Sequence, residues 1–218
     1  NTSRRCNLHC VHCYTESTDK AYPNELSHQE GIALIDHLAD FGVPVLLLSG
    51  GEPLYRPDVL ELAGYAAGRG LRVVISTNGT MITREKAYQI KEAKVSYVGV
   101  SLDGIGPVHD RFRGVKGAFE KSLQGIRNCQ EAGVKVGLRF TITRQNRDQV
   151  EGIFRLVEEE RIPRVCFYHL VYAGRGKHTA RIVMEPVETR ALIDLIFRKT
   201  RELYQKGLET EVLTVDNH

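Results

Sequence analysis

Short apolar runs alternate with longer amphipathic segments along nearly the whole chain, and this alternation restricts the fold more than any other feature. The runs VPVLLLSGG (43–51), LRVVISTNG (71–79), SYVGVSLDG (96–104), VKVGLRFTIT (134–143) and PRVCFYHL (163–170) are rich in β-branched and aromatic residues. Each gathers Gly or polar residues at its C-terminal end, as strands that stop in functional loops do. Helical patterns fill the gaps. In SHQEGIALIDHLADFG, Ser27 and Glu30 form a capping box, Ile32, Ile35, Leu38 and Ala39 make the apolar stripe, and Gly42 suits the C′ position. Further helices are expected at 58–69, 83–93, 117–132, 147–161 and 187–206, the last opened by Pro186.

Strand–helix alternation with near-continuous apolar strands implies a parallel sheet with helices outside it. At 218 residues the chain is short of the roughly 250 that a complete eight-fold barrel takes. The expected fold is therefore α/β, a partial (βα)6 TIM-like barrel over residues 1–207, with a sixth strand running into residue 1. Residues 208–218 (LETEVLTVDNH) read as the start of a truncated C-terminal extension, with EVLTVDNH a strand cut off as it forms. The first residue is Asn rather than Met, so a longer native chain is expected.

Composition is that of an ordinary globular protein, with 42% hydrophobic and 26% charged residues. A net charge of +3 gives no support for a nucleic-acid partner. No stretch reaches the roughly 18 apolar residues of a membrane span, and no signal-peptide pattern opens the chain, so a cytoplasmic protein with no membrane partner is expected.

Every unusual polar cluster falls at a strand's C-terminal end, and in a parallel barrel those ends share one face. The most distinctive is CNLHCVHCY (6–14), with Cys6, Cys10 and Cys13 spaced Cys-x3-Cys-x2-Cys. The chain holds five cysteines, an odd number with three of them clustered, which favours a metal site over a disulfide framework. Structural zinc wants four ligands, and His9 or His12 would have to complete the set from inside the same tight loop. Cys129 and Cys166 stand alone and suit packed thiols. Three close thiolates fit a [4Fe–4S] cube with one iron left open, while a zinc-stabilised, non-catalytic binding protein is the rival reading.

The cysteine loop, followed after one helix by a strand and Ser49-Gly50-Gly51-Glu52-Pro53, resembles the radical S-adenosylmethionine (SAM) superfamily over essentially the whole chain. The resemblance implies that Cys6, Cys10 and Cys13 hold the [4Fe–4S] cluster and that SAM chelates the open iron. An electron then cleaves SAM to methionine and a 5′-deoxyadenosyl radical, which abstracts a substrate hydrogen. It further implies that Gly50 and Gly51 admit a close ligand and that Glu52 receives the SAM ammonium. Asn78 joins them, Ser101 and Asp103 stand where relatives bind the ribose and the methionyl carboxylate, and Arg139 is placed to pair with that carboxylate. His12 occupies the position where many relatives set an aromatic ring against adenine.

TSRRCNLHCVHCYTES, VISTNGTMIT, YVGVSLDGIGPVHDRFRG and IPRVCFYHLVYAGRG together resemble the haem-biosynthesis branch, whose members process sirohaem-derived tetrapyrroles. That resemblance implies an enzyme removing acetate side chains from an iron tetrapyrrole, such as a didecarboxysirohaem deacetylase, with ferredoxin or flavodoxin as electron donor. His169, Tyr172 and Arg175 are then candidate substrate contacts. The branch usually carries a C-terminal extension with cysteines for a second [4Fe–4S] cluster, which would lie beyond residue 218. A radical SAM maturase acting on peptides is the alternative enzyme.

Overall fold

A computed structural model describes residues 1–177 and 184–215. The elements run α1 (His28–Asp40), β1 (Val45–Leu48), α2 (Val59–Gly68), β2 (Arg72–Thr77), α3 (Arg84–Glu92), β3 (Tyr97–Ser101), α4 (Pro107–Arg113), α5 (Ala118–Glu131), β4 (Val136–Ile142), α6 (Val150–Glu159), β5 (Arg164–His169), α7 (Pro186–Gln205) and β6 (Glu211–Val215). The strands follow the order β1-β2-β3-β4-β5-β6, the α/β arrangement expected of a partial barrel. Contacts divide the chain into two compact units, one of Asn1–His9, Ser17–Ser101 and Lys121–Val136, the other of Cys10–Glu16, Leu102–Glu120 and Gly137–His218.

In the first unit β1, β2 and β3 pair in parallel, with Leu48 opposite Ile75 and Thr77 opposite Val100. Val73, Ile75, Val98 and Val100 are essentially inaccessible, and each such side chain contributes roughly 1.5–3 kcal/mol of burial. Ala63 and Ala66 on α2 and Ala87 on α3 are fully buried, small enough to let those helices lie close to their neighbours. The capping box at α1 forms as expected, with the Ser27 N–H donating to Glu30 Oε2 at 2.8 Å and the Glu30 N–H to Ser27 Oγ at 3.3 Å.

In the second unit β4, β5 and β6 pair in parallel, with Phe140 opposite Phe167 and Tyr168 opposite Val215. One face is apolar. Phe140 meets Phe167 edge-on at 5.7 Å, and Phe154 of α6 stacks on Phe167 at 5.6 Å. Arg139 and Thr141 alternate onto the other face of β4.

Two expectations change. The sixth strand is β6, near the C-terminal end, and it pairs with β5. No strand runs into residue 1: among the described residues, the first five carry only an isolated bridge, Arg5 to Thr18. Their backbone is held by the turn after β1, where the Thr2 N–H donates to Ser49 O at 2.6 Å and the Gly51 N–H donates to Ser3 O at 2.8 Å. Helix α4 has no counterpart among the expected helices. Pro107 sits at its start and Gly114 ends it in the left-handed conformation at φ 71°, a Pro-in, Gly-out signature. No described helix is long and apolar enough to cross a membrane.

Candidate cofactor site at the cysteine loop

In the first unit, the glycine turn after β1 is built to receive the segment leading into Cys6. Gly50 adopts φ +152°, and a Cβ there would stand 2.2 Å from Ser3 O; one on Gly51 would stand 2.4 Å from Arg5 O. The close approach that Gly50 and Gly51 allow is therefore that of the protein's own backbone. The Glu52 N–H completes the clasp, donating to Arg5 O at 2.9 Å.

Glu52 is fully buried. Its Oε1 accepts from Thr77 Oγ1 at 2.7 Å and from the Leu54 N–H at 3.0 Å, and its Oε2 accepts from the Asn78 N–H at 2.8 Å. Strand β2 ends on this carboxylate. In the structure Glu52 thus ties the end of β2 to the turn after β1. Asn78 continues the chain of contacts: its Nδ2 donates to Asn7 Oδ1 at 2.9 Å and lies 3.9 Å from Cys6 Sγ. The Leu8 N–H also points at that sulfur, at 3.4 Å. Ser101 closes β3, half-buried.

In the second unit, Cys10 is buried and Arg113 Nη1 approaches its Sγ to 3.5 Å. Burial pushes the Cys10 thiol up, while the Arg113 charge and hydrogen bond pull it back towards the thiolate. Cys13, less buried, lies 3.3 Å from Thr15 Oγ1. Arg113 also ion-pairs with Asp103, which is wholly inaccessible and accepts the Thr141 N–H at 2.7 Å through Oδ1. His12 Nε2 lies 3.8 Å from Asp103 Oδ2, and its ring rests 4.6 Å from Phe112. Burial lowers the His12 pKa to about 4, so this imidazole is neutral at pH 7 and its Nδ1 is buried with no hydrogen-bond partner.

Arg139 stacks its guanidinium over Tyr168 at 4.7 Å. Arg175 fastens the cysteine loop: its Nε donates to Cys10 O at 2.8 Å and its backbone N–H to Cys13 O at 2.9 Å. Beside it Gly174, at φ +54°, leaves 2.3 Å between a would-be Cβ and Tyr14 O. His169 and Tyr172 instead border an open cleft of about 730 Å³ with Thr189, Arg190, Ile193 and Asp194 of α7. Sequence reasoning missed Arg113, His109 and Arg190. The Pro107 and Gly114 boundaries could have found α4 and so placed the first two on a helix.

Among the described residues, no group of three or more His, Cys, Asp or Glu side chains surrounds a single metal-ion position. A [4Fe–4S] cube makes no such demand, because each thiolate binds a different iron. The sulfur ligands of a cube are commonly tuned by nearby hydrogen-bond donors, and Cys6 and Cys10 each face a side-chain N–H. Within its own unit, each of these two thiols has surroundings that suit a cluster ligand.

Comparison with known proteins agrees. The model of the radical SAM superfamily matches residues 1–157. The chain is 59% identical over 218 residues to Fe-coproporphyrin III synthase of Methanosarcina barkeri, covering 100% of this chain and 55% of that protein. It is 42% identical over 218 residues to pre-heme d1 synthase of Dinoroseobacter shibae, covering 100% and 54%. The chain thus spans about half the length of the curated relatives it matches. Among solved structures, SuiB of Streptococcus suis bound to S-adenosylmethionine superposes with a TM-score of 0.80 at 18% identity, over 100% of this chain and 49% of that one. With the family model covering residues 1–157, this chain belongs to the radical SAM superfamily, whose cofactors are a [4Fe–4S] cluster and SAM.

Proposed function

We propose that this chain forms the radical-generating part of a cytoplasmic haem-biosynthesis enzyme that removes acetate side chains from a sirohaem-derived iron tetrapyrrole. The observation that carries this reading is the 59% identity, over all 218 residues, to a protein named for iron-coproporphyrin synthesis.

Cys6, Cys10 and Cys13 would hold the cluster. A bound cluster would supply, from a ferredoxin or flavodoxin, the single electron that reductive cleavage of SAM needs. The chain's own part is to position and protect. The glycine clasp and Arg175 fix the two ends of the cysteine loop. Neutral His12, with its unpartnered Nδ1, offers a flat ring and one hydrogen-bonding atom to an adenine. Ser101 would serve the polar groups of SAM, since three internal donors already meet the Glu52 carboxylate. For the substrate, the cleft lined by His169 and Tyr172 also carries the Arg190 cation, which suits a macrocycle bearing carboxylates.

The test uses anaerobically reconstituted protein with SAM, dithionite and didecarboxysirohaem. A Soret shift on mixing is expected, then a product lighter by the mass of its lost acetate groups. Arg190→Ala should weaken binding about tenfold, the loss of one charged hydrogen bond, and leave SAM cleavage without substrate unchanged. Protein with a full cluster that neither binds nor alters the sirohaem would end the tetrapyrrole assignment.

A further inference from the structure

Arg113 ends α4 with its side chain almost inaccessible, 7% exposed. One nitrogen, Nη1, lies 3.5 Å from Cys10 Sγ, and the other, Nη2, is ion-paired with Asp103. The carboxylate is itself immobilised by the Thr141 N–H at 2.7 Å, and the following carbonyl, Asp103 O, accepts from Asn146 Nδ2 at 3.0 Å. A buried ion pair is poor value as a stability device, since an apolar pair of similar volume commonly serves as well or better. Its placement against a cluster ligand calls for another explanation.

We propose that Arg113 is a positioning residue that sets the reduction potential of the [4Fe–4S] cluster, through a charged hydrogen bond to the Cys10 thiolate that Asp103 tempers. This rests on the cluster-binding reading and is independent of the tetrapyrrole substrate. Reduction brings one electron from a low-potential donor onto the cluster and breaks no bond. The added negative charge is stabilised by a cation against a ligand sulfur and opposed by a neighbouring carboxylate, and hydrogen bonds to the sulfurs are among the protein's means of tuning such potentials. Burial keeps solvent from screening either charge.

The two charges therefore act with opposite sign, which a purely structural role would not produce. At a fixed viologen poise, with SAM absent, the ratio of reduced to oxidised cluster is read by electron paramagnetic resonance. Arg113→Gln should lower that ratio about tenfold, equivalent to about 59 mV for a one-electron couple. Asp103→Asn should raise it by a similar factor. Iron is counted in every sample, so a failure to assemble the cluster is separated from a failure of tuning. An Arg113→Gln protein with full iron and an unchanged ratio would overturn the proposal. If Arg113→Gln loads little iron, Asp103→Asn decides alone: a raised ratio supports the proposal, and an unchanged or lowered ratio overturns it.

Discussion

Replacing Glu52 by Gln changes one atom's chemistry at a site with no room to adapt. The carboxylate accepts three internal hydrogen bonds, from Thr77 Oγ1, Leu54 N and Asn78 N. A glutamine has one oxygen and one NH2 group. With the NH2 at the Oε2 position it faces the Asn78 N–H; at the Oε1 position it faces the Leu54 N–H. The Thr77 hydroxyl gives little relief, because its oxygen already accepts the Gly79 N–H at 2.9 Å. Either orientation leaves at least one buried backbone N–H opposed by another donor, costing about 1–3 kcal/mol, and the surviving bonds lose their charge assistance. A total of about 2–4 kcal/mol follows. At roughly 2–4 °C per kcal/mol for a chain of this size, Tm should fall by about 5–15 °C. Thermal unfolding of anaerobically purified parent and Glu52→Gln proteins reads this directly, with SAM affinity measured by calorimetry alongside. A stability change below about 0.5 kcal/mol, the range of an ordinary surface substitution, together with a tenfold loss of SAM affinity would refute the tie between β2 and the turn after β1 and return Glu52 to the SAM site.

Two further outcomes test the same architecture. Gly51→Ala drives a Cβ to 2.4 Å from Arg5 O, a backbone atom that cannot swing away; iron per chain after reconstitution should drop several-fold, while Gly68→Ala, with nothing within 4 Å of its Cβ, should load normally. His109 is fully buried, its Nδ1 accepts the Asp103 N–H at 3.0 Å, and its pKa is lowered to about 3, chiefly by burial and then by the Arg113 charge. Because the folded value lies below the 6.5 of a free imidazole, the stability due to neutral His109 is present above about pH 6.5 and lost as pH falls towards 3. The slope approaches about 1.4 kcal/mol per pH unit. Between pH 7 and 5 the parent should therefore lose about 2 kcal/mol more in urea unfolding than His109→Asn, whose side-chain oxygen can still accept that N–H. Parallel losses in the two proteins would rule out His109 as the titrating group.

The strand ends were readable because each apolar run stops at glycine or polar residues, and the cysteine spacing restricts the metal chemistry on its own. The sequence could not say which polar residues at those ends face a ligand and which face one another. Glu52 and Asp103 look alike as strand-end carboxylates, yet each also meets internal partners from elsewhere in the chain: Thr77 and Asn78 for the first, the Thr141 N–H and the Arg113 cation for the second. Arg175 was similarly ambiguous, since an arginine in a glycine-flanked loop suits an anionic substrate as well as a carbonyl of the cysteine loop. The strand at 211–215 was readable in EVLTV, whereas the strand expected to run into residue 1 rested on the repeat of the βα unit alone, and those residues are held by the turn after β1 instead. Helix α4 was overlooked because seven residues are barely two turns.

The central claim is that Cys6, Cys10 and Cys13 hold a [4Fe–4S] cluster whose fourth iron is left for SAM. Electron paramagnetic resonance of the dithionite-reduced protein, recorded with and without SAM beside an iron and zinc count, tests it most directly. The account predicts about four irons per chain, a reduced-cluster signal that changes when SAM is added, and the loss of both in Cys10→Ala but not in Cys129→Ser. One zinc per chain and no iron after reconstitution, or a cluster signal that SAM leaves unchanged, would contradict it.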